Sequence, residues 1–355
     1  MVRIFKISVY AILLLVLSLT AFANDSNIST QLKGVILEVL ETHKDENGNF
    51  YQKLKIRLKD SSEIIIENNS SLTAKNIEYK KGEKIVLQEA YKTPEGESMY
   101  VITDYQRTGH LYFLFVLFTV FAILVGRKYG LYSLVGMAFS YLIIFKFILP
   151  QILAGGNPIL ITTIASLFII PVTFYLSHGF NKKTHVAIAS TIVVLVITVL
   201  LTAVLVSAAR LTGYSSEEAM FLQVSNEKIN MKGILLAGII IGFLGVLDDV
   251  TVSQSSMVMQ LKSSNRDLGT LELYKKAMAV GRDHITSMIN TLILVYTGAS
   301  LPLLLLFVNN PHSFSEIINM ELIAEEVVRT LIGSIGLITA VPLSTLLAAI
   351  VAEEV

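Results

Sequence analysis

Two patterns of apolar and polar positions divide the chain. Residues 24–108 mix short apolar runs with Lys, Glu, Asp and Asn, whereas from Leu111 onward long apolar runs are broken only by brief polar patches. In the first part, Gly34–Val39, Tyr51–Leu58, Glu63–Ile66, Ile85–Ala90 and Met99–Asp104 read as strands. The second of these alternates strictly, which predicts one buried and one wet face. Asn47-Gly48, Lys80-Lys81-Gly82-Glu83 and Pro94-Glu95-Gly96 supply the turns between them. Five short strands predict a small all-β domain, barrel-like and without a catalytic constellation: His43 stands alone as a solvated turn residue.

In the second part, apolar runs predict helices at roughly 111–126, 130–149, 158–177, 186–209, 233–248, 285–308 and 328–351. The fold class expected is therefore a membrane protein, an all-α bundle of about seven transmembrane helices preceded by a five-stranded, barrel-like extracytoplasmic domain. Ahead of both, Arg3 and Lys6, the apolar stretch Ile7–Leu19 and Ala21-Phe22-Ala23 have the three parts of an export signal. The domain organisation expected is 1–23 signal peptide, 24–108 extracytoplasmic β domain and 109–355 transmembrane helical domain.

Composition supports the membrane reading. Only 16% of residues are charged and 53% are hydrophobic, against roughly 25% charged in soluble domains. Net charge is zero, so nucleic acid is not an expected partner. The absence of cysteine excludes disulfides, Cys-ligated zinc and iron–sulfur clusters. No Gly-x-x-x-x-Gly-Lys loop occurs, and no cofactor is expected. Basic residues also orient the chain. Arg127 and Lys128, Lys182 and Lys183, and Lys262, Arg266, Lys275, Lys276 and Arg282 fall in alternate connections, which predicts those connections inside and the β domain outside the cell membrane. Lys146 and Arg329 read as anchors near outer helix ends.

Candidate chemistry gathers in two segments. Gly238, Gly242 and Gly245 share a helix face suited to close packing, and Asp248 and Asp249 follow them, with Thr251, Ser253 and Gln254 beyond. The second segment is Gly281-Arg282-Asp283-His284, from which Ser287, Asn290, Thr291, Thr297 and Gly298 continue along one side of a helix. A polar stripe on a membrane helix must face protein or a hydrated cavity. The expected pathway residues are Asp248, Asp249, Thr251, Ser253, Gln254, Arg282, Asp283, His284, Ser287 and Asn290. Gly238, Gly242, Gly245 and Gly298 are the expected packing residues, and the residues name no metal.

Gly245-Val246-Leu247-Asp248-Asp249-Val250-Thr251-Val252-Ser253-Gln254, Val280-Gly281-Arg282-Asp283-His284-Ile285 with Asn290-Thr291-Leu292, and Tyr296-Thr297-Gly298-Ala299-Ser300-Leu301-Pro302 resemble signatures of the YibE/F-like family of bacterial multi-pass membrane proteins. The resemblance implies a multi-pass topology and carries over no catalytic residue. Three functions are consistent with the residues. A permease or channel-like transporter would bind a cation or small polar solute on carboxylates and hydroxyls. A scaffold or sensor would bind a wall component or partner through the β domain. An intramembrane hydrolase would share a proton between two aspartates. The first is the expectation, making the protein a non-enzyme whose partners are the lipid bilayer, a small ion or polar solute, and a further copy or partner subunit.

Overall fold

The computed structural model describes residues 32–44, 46, 49–69, 76–92, 98–308 and 313–353. The expected signal sequence and the Asn47-Gly48 and Pro94-Glu95-Gly96 turns lie outside these residues. The chain forms two compact units, divided between Val125 and Gly126.

In the first unit, β1 (Leu32–Lys44), β2 (Phe50–Leu58), β3 (Glu63–Asn69), β4 (Lys84–Lys92) and β5 (Ser98–Tyr105) form an antiparallel sheet of order β3-β2-β1-β4-β5. The period-two pattern of β2 sets its faces. Gln52, Leu54, Ile56 and Leu58 are buried, while Lys53, Lys55 and Arg57 turn outward to meet Glu67 and Glu63 of β3 at 3.4, 2.8 and 3.5 Å. Such exposed pairs favour one strand register more than they stabilise the fold. Ile36, Leu54, Ile56, Ile85 and Leu87 form the fully buried centre. Gln52 is buried there with its amide satisfied: it donates to the Tyr79 carbonyl at 3.0 Å and accepts from the Tyr79 N–H at 2.7 Å.

The expected barrel is not formed. Closure would require β3 to pair with β5, but these are the two edges of an open sheet. Strand-like runs and bulged, bent strands look the same in sequence whether or not the outer strands meet; β1 and β4 both carry register shifts.

Burial, followed by the carboxylate of Glu83, pushes the Tyr105 phenol up to about 12. An unfolded tyrosine ionises near ~10. Because the folded value is the higher one, this contribution is present below pH ~10 and is lost as pH rises toward 12. The stability of this unit, followed by circular dichroism, is expected to fall across that window, and Tyr105→Phe is expected to flatten the dependence.

Helix α1 (Thr108–Ile143) leads through a π turn at Ile144–Ile148 into α2 (Leu149–Leu153). The whole run has 46 residues, about 69 Å at 1.5 Å per residue, more than twice a hydrocarbon core. It breaks at Arg127, whose φ of 51° and ψ of −130° are not helical. That break falls where the sequence separates the first two expected spans. The π turn has a local cause: Pro150 has no N–H for the Lys146 carbonyl, and the Leu149 N–H reaches Ile144 instead.

The remaining helices are α3 (Pro158–His178), α4 (Lys182–Ala208), α5 (Glu217–Ser225), α6 (Met231–Ser264), α7 (Thr270–Ala299), α8 (Leu301–Val308), α9 (Phe314–Asn319) and α10 (Glu321–Glu353). Asn157, Asn181 and Asn230 cap α3, α4 and α6 by accepting from first-turn N–H groups. Ile170, Phe174, Leu195, Ile240, Phe243, Leu247 and Leu337 fill the core between α3, α4, α6 and α10. Buried polar pairs also cross it. The hydroxyls of Thr191 and Thr251 lie 2.8 Å apart, and Thr345 donates to Gln254 Oε1 at 3.0 Å.

Two expectations about spans are corrected. Among the described residues, five helical stretches are long and apolar enough to cross a membrane: Thr108–Leu153, α3, α4, α6 and α10. The sequence predicts about seven. The first two expected spans share the Thr108–Leu153 run, and the stretch 285–308 is divided between α7 and α8, with the polar face of α7 lowering its hydropathy. The fifth span does not end at Asp248. Helix α6 continues to Ser264, since no Gly or Pro interrupts it after Gly245 and its continuation buries Val250, Val252 and Val258.

Candidate functional site

Adjacent residues on an α-helix point ~100° apart, so the uninterrupted α6 separates its two acids. Asp249 is exposed, whereas Asp248 is half-buried on the side that meets α3. Its Oδ1 lies 3.8 Å from His178 Nε2 at the end of α3, too far for a hydrogen bond. That oxygen is shielded from solvent and accepts no hydrogen bond among the described residues.

Asp248 closes one end of a cleft of about 430 Å³ between α1 with its π turn, α3 and α6. The lining is apolar apart from a series of hydroxyls: Ser133 and Ser140 on α1, and Ser166, Thr173 and Ser177 on α3. Three of them are turned back on their own helices. Ser140 donates to the Gly136 carbonyl at 3.1 Å, Ser166 to Thr162 at 2.8 Å, and Thr173 to Ile169 at 2.8 Å. Spending the proton on the backbone leaves each oxygen as an acceptor only. With the carboxylate, these three oxygens present acceptors to the cleft, which suits a cation or a solute rich in N–H or O–H donors.

The other residues singled out by the sequence divide into two groups. Thr251 and Gln254 are fully buried and tie α6 to α4 and α10, and Ser253 donates to its own helix at Val250. Gln254 also packs on Gly281: a β-carbon there would lie 2.8 Å from Val341 Cγ1 and 3.2 Å from Gln254 Oε1. These residues are therefore structural ties in this arrangement. Arg282, Asp283, Ser287 and Asn290 are exposed on α7, and His284 is half-buried. Arg282 donates from Nε to the Met278 carbonyl at 3.3 Å, while the partner of Asp248 is His178.

The expected packing glycines also separate. A β-carbon at Gly238, Gly245 or Gly298 would meet nothing within 4 Å, and one at Gly242 would meet only the Tyr296 hydroxyl, at 3.7 Å. Gly245 instead lines the cleft. Close packing occurs at Gly233 against Pro158, at Gly281, and at Gly336 against Phe243.

The sequence reading passed over Ser133, Ser140, Ser166, Thr173, Ser177 and His178. A signal was present: Ser133 and Ser140, and Ser166, Thr173 and Ser177, recur at seven and four residues, the spacing of one helix face. Single hydroxyls inside apolar runs carry little weight until the neighbouring helix is known.

Helices of membrane-crossing length and composition, packed through small and hydroxyl-bearing side chains, define a multi-pass membrane protein. Residues 114–354 match the family model described as YibE/F-like protein, and the chain belongs to that family. No curated protein and no solved structure matches it.

Proposed function

We propose that the protein is a permease for a cation or a small donor-rich solute, with Asp248 as the binding carboxylate and the hydroxyls of α1 and α3 as the lining of the path. One observation carries this reading: a carboxylate oxygen without a hydrogen-bond partner among the described residues stands at the end of a cleft in which three of the five lining hydroxyls are left as acceptors. Side chains of this kind at membrane depth are costly and mark pathways. The π turn beside the cleft supports it, because such turns concentrate at functional sites.

In this reading the β domain lies outside and the basic connections inside. Ser133, Ser177 and Asp248 then fall at the inner end of the path, and Ile148 toward the outer end. A hydrolytic dyad is the weaker reading, since it needs two carboxylates on one proton. Asp248 faces the cleft, whereas Asp249 and Asp283 are exposed.

Gly245→Leu tests the proposal. Its side chain would enter the cleft without colliding with a neighbour at the β-carbon. In proteoliposomes, screened with monovalent and divalent cations and small amines, flux is expected to fall about tenfold or more, equivalent to ~1.4 kcal/mol or more. Thermal stability is expected to stay close to that of the wild type. Unchanged flux of every transported species would refute the cleft as the path.

A further inference from the structure

Helix α5 rests on the bundle by one side only. Ala219 and Leu222 pack against the layer formed by Ile148, Ile161, Ala165 and Ile229. At 3.6 residues per turn, Met220, Phe221 and Val224 lie on the opposite side, and they are 54%, 75% and 83% exposed. Glu217 shares that side at the first residue of the helix and Glu218 borders it, so the side is acidic at its start and apolar from Met220 onward. The uncharged polar side chains of α5 are satisfied within the chain. Gln223 accepts from the Tyr214 hydroxyl at 3.3 Å and donates to the Glu227 carbonyl at 3.2 Å, and Ser225 donates to the Phe221 carbonyl at 2.8 Å. Lipid next to this helix would therefore strand neither of them.

What the packed side touches sets the level of the free side. Connections 209–216 and 226–230 join α5 to the ends of α4 and α6, both long and apolar enough to span a membrane. In the layer beneath it, Ile161 and Ala165 stand about 4.5 and 10.5 Å along α3 from Pro158, at 1.5 Å per residue. Just past the C-terminal end of α5, Asn226 donates at 2.9 Å to the carbonyl of Leu153, where the apolar stretch Thr108–Leu153 ends. We propose that α5 lies along the lipid boundary at this end of the bundle, with Met220, Phe221 and Val224 inserted among the acyl chains. The partner is the membrane lipid itself, met as the apolar face of an interfacial helix meets it. A carboxylate among acyl chains is costly, so Glu217 and Glu218 stay at headgroup level. The helix then dips toward its C-terminal turn, the end that Asn226 fastens to Leu153. Neither the cleft nor transport enters this placement.

The chain has no tryptophan and no cysteine, which makes the test direct. Phe221→Trp would be introduced into the full chain and reconstituted in bilayers whose phospholipids carry bromine on the acyl chains. The substitution falls on the exposed side, where no packed neighbour has to move. Tryptophan emission is expected to be quenched, and more strongly by bromine near the headgroup end of the chain than by bromine near its methyl end. Absence of quenching, whether because water or a second copy covers this side, would overturn the proposal, and so would stronger quenching from the methyl end. Cysteine labelling provides a second measurement on the same helix. In liposomes, Val224→Cys is expected to react with a charged maleimide about tenfold more slowly than Glu218→Cys, because apolar surroundings disfavour the thiolate. Both positions sit at one end of the bundle, so the orientation of the chain in the bilayer affects them alike. Equal rates would overturn the insertion of Val224.

Discussion

Asp248→Asn is expected to reduce solute flux by about ten- to a hundredfold, while Asp249→Asn leaves it unchanged. The two substitutions are chemically identical and one residue apart, so the contrast isolates position. At 248 the lost group is the cleft carboxylate, and a charged hydrogen-bond partner contributes ~1.5–3 kcal/mol to binding, the equivalent of that range. At 249 the carboxylate is exposed and water replaces whatever it binds. Unfolding is not expected to account for the loss at 248. Removing a half-buried charge also removes its desolvation cost, and Asn keeps the shape. Flux measured in proteoliposomes, alongside a thermal melt of each variant, separates the outcomes. Equal loss from both substitutions would refute the assignment of Asp248 as the binding group.

The largest effect on stability is expected from Gly336→Ala. A β-carbon at 336 would overlap the ring of Phe243 and lie 2.9 Å from Thr198 Oγ1. Phe243 is 2% and Thr198 1% exposed, so neither has room to withdraw. Overpacking of this kind costs ~1–3 kcal/mol. Phe243→Leu in the same chain is expected to recover part of that loss, because the two sites share one contact. Gly238→Ala serves as the control: with nothing within 4 Å, it is expected to be neutral or slightly stabilising. Thermal melts of the three variants and the wild type in one detergent decide this.

Much of the architecture is legible in the residues. All five strands appear where alternation places them, and Thr191 lies within a helix that the apolar runs predict, whereas Thr251 and Gln254 lie beyond the expected helix end at 248. Closure of the sheet is not legible, because it depends on whether β3 and β5 meet, and no local pattern encodes that. The continuation of α6 past Asp248 is also obscured. Two acids after an apolar run look like a helix end unless the burial of Val250, Val252 and Val258 is known. The site is half legible. Asp248 stands out as an acid beside apolar sequence, but its hydroxyl partners come from helices far away in the chain, and only packing selects them.

Helix α6 passes from the cleft to its final turn without a glycine or proline after Gly245. From Asp248 to Ser264 it is a stiff rod of about 24 Å, held by its own ladder with no joint along its length. Its far end turns at Asn265–Gly269 into α7, and Lys262 fastens that turn by donating to the Arg266 and Leu268 carbonyls. A force applied at this turn therefore acts on a lever whose other arm carries the carboxylate. A tilt at one end becomes a sideways displacement at the other.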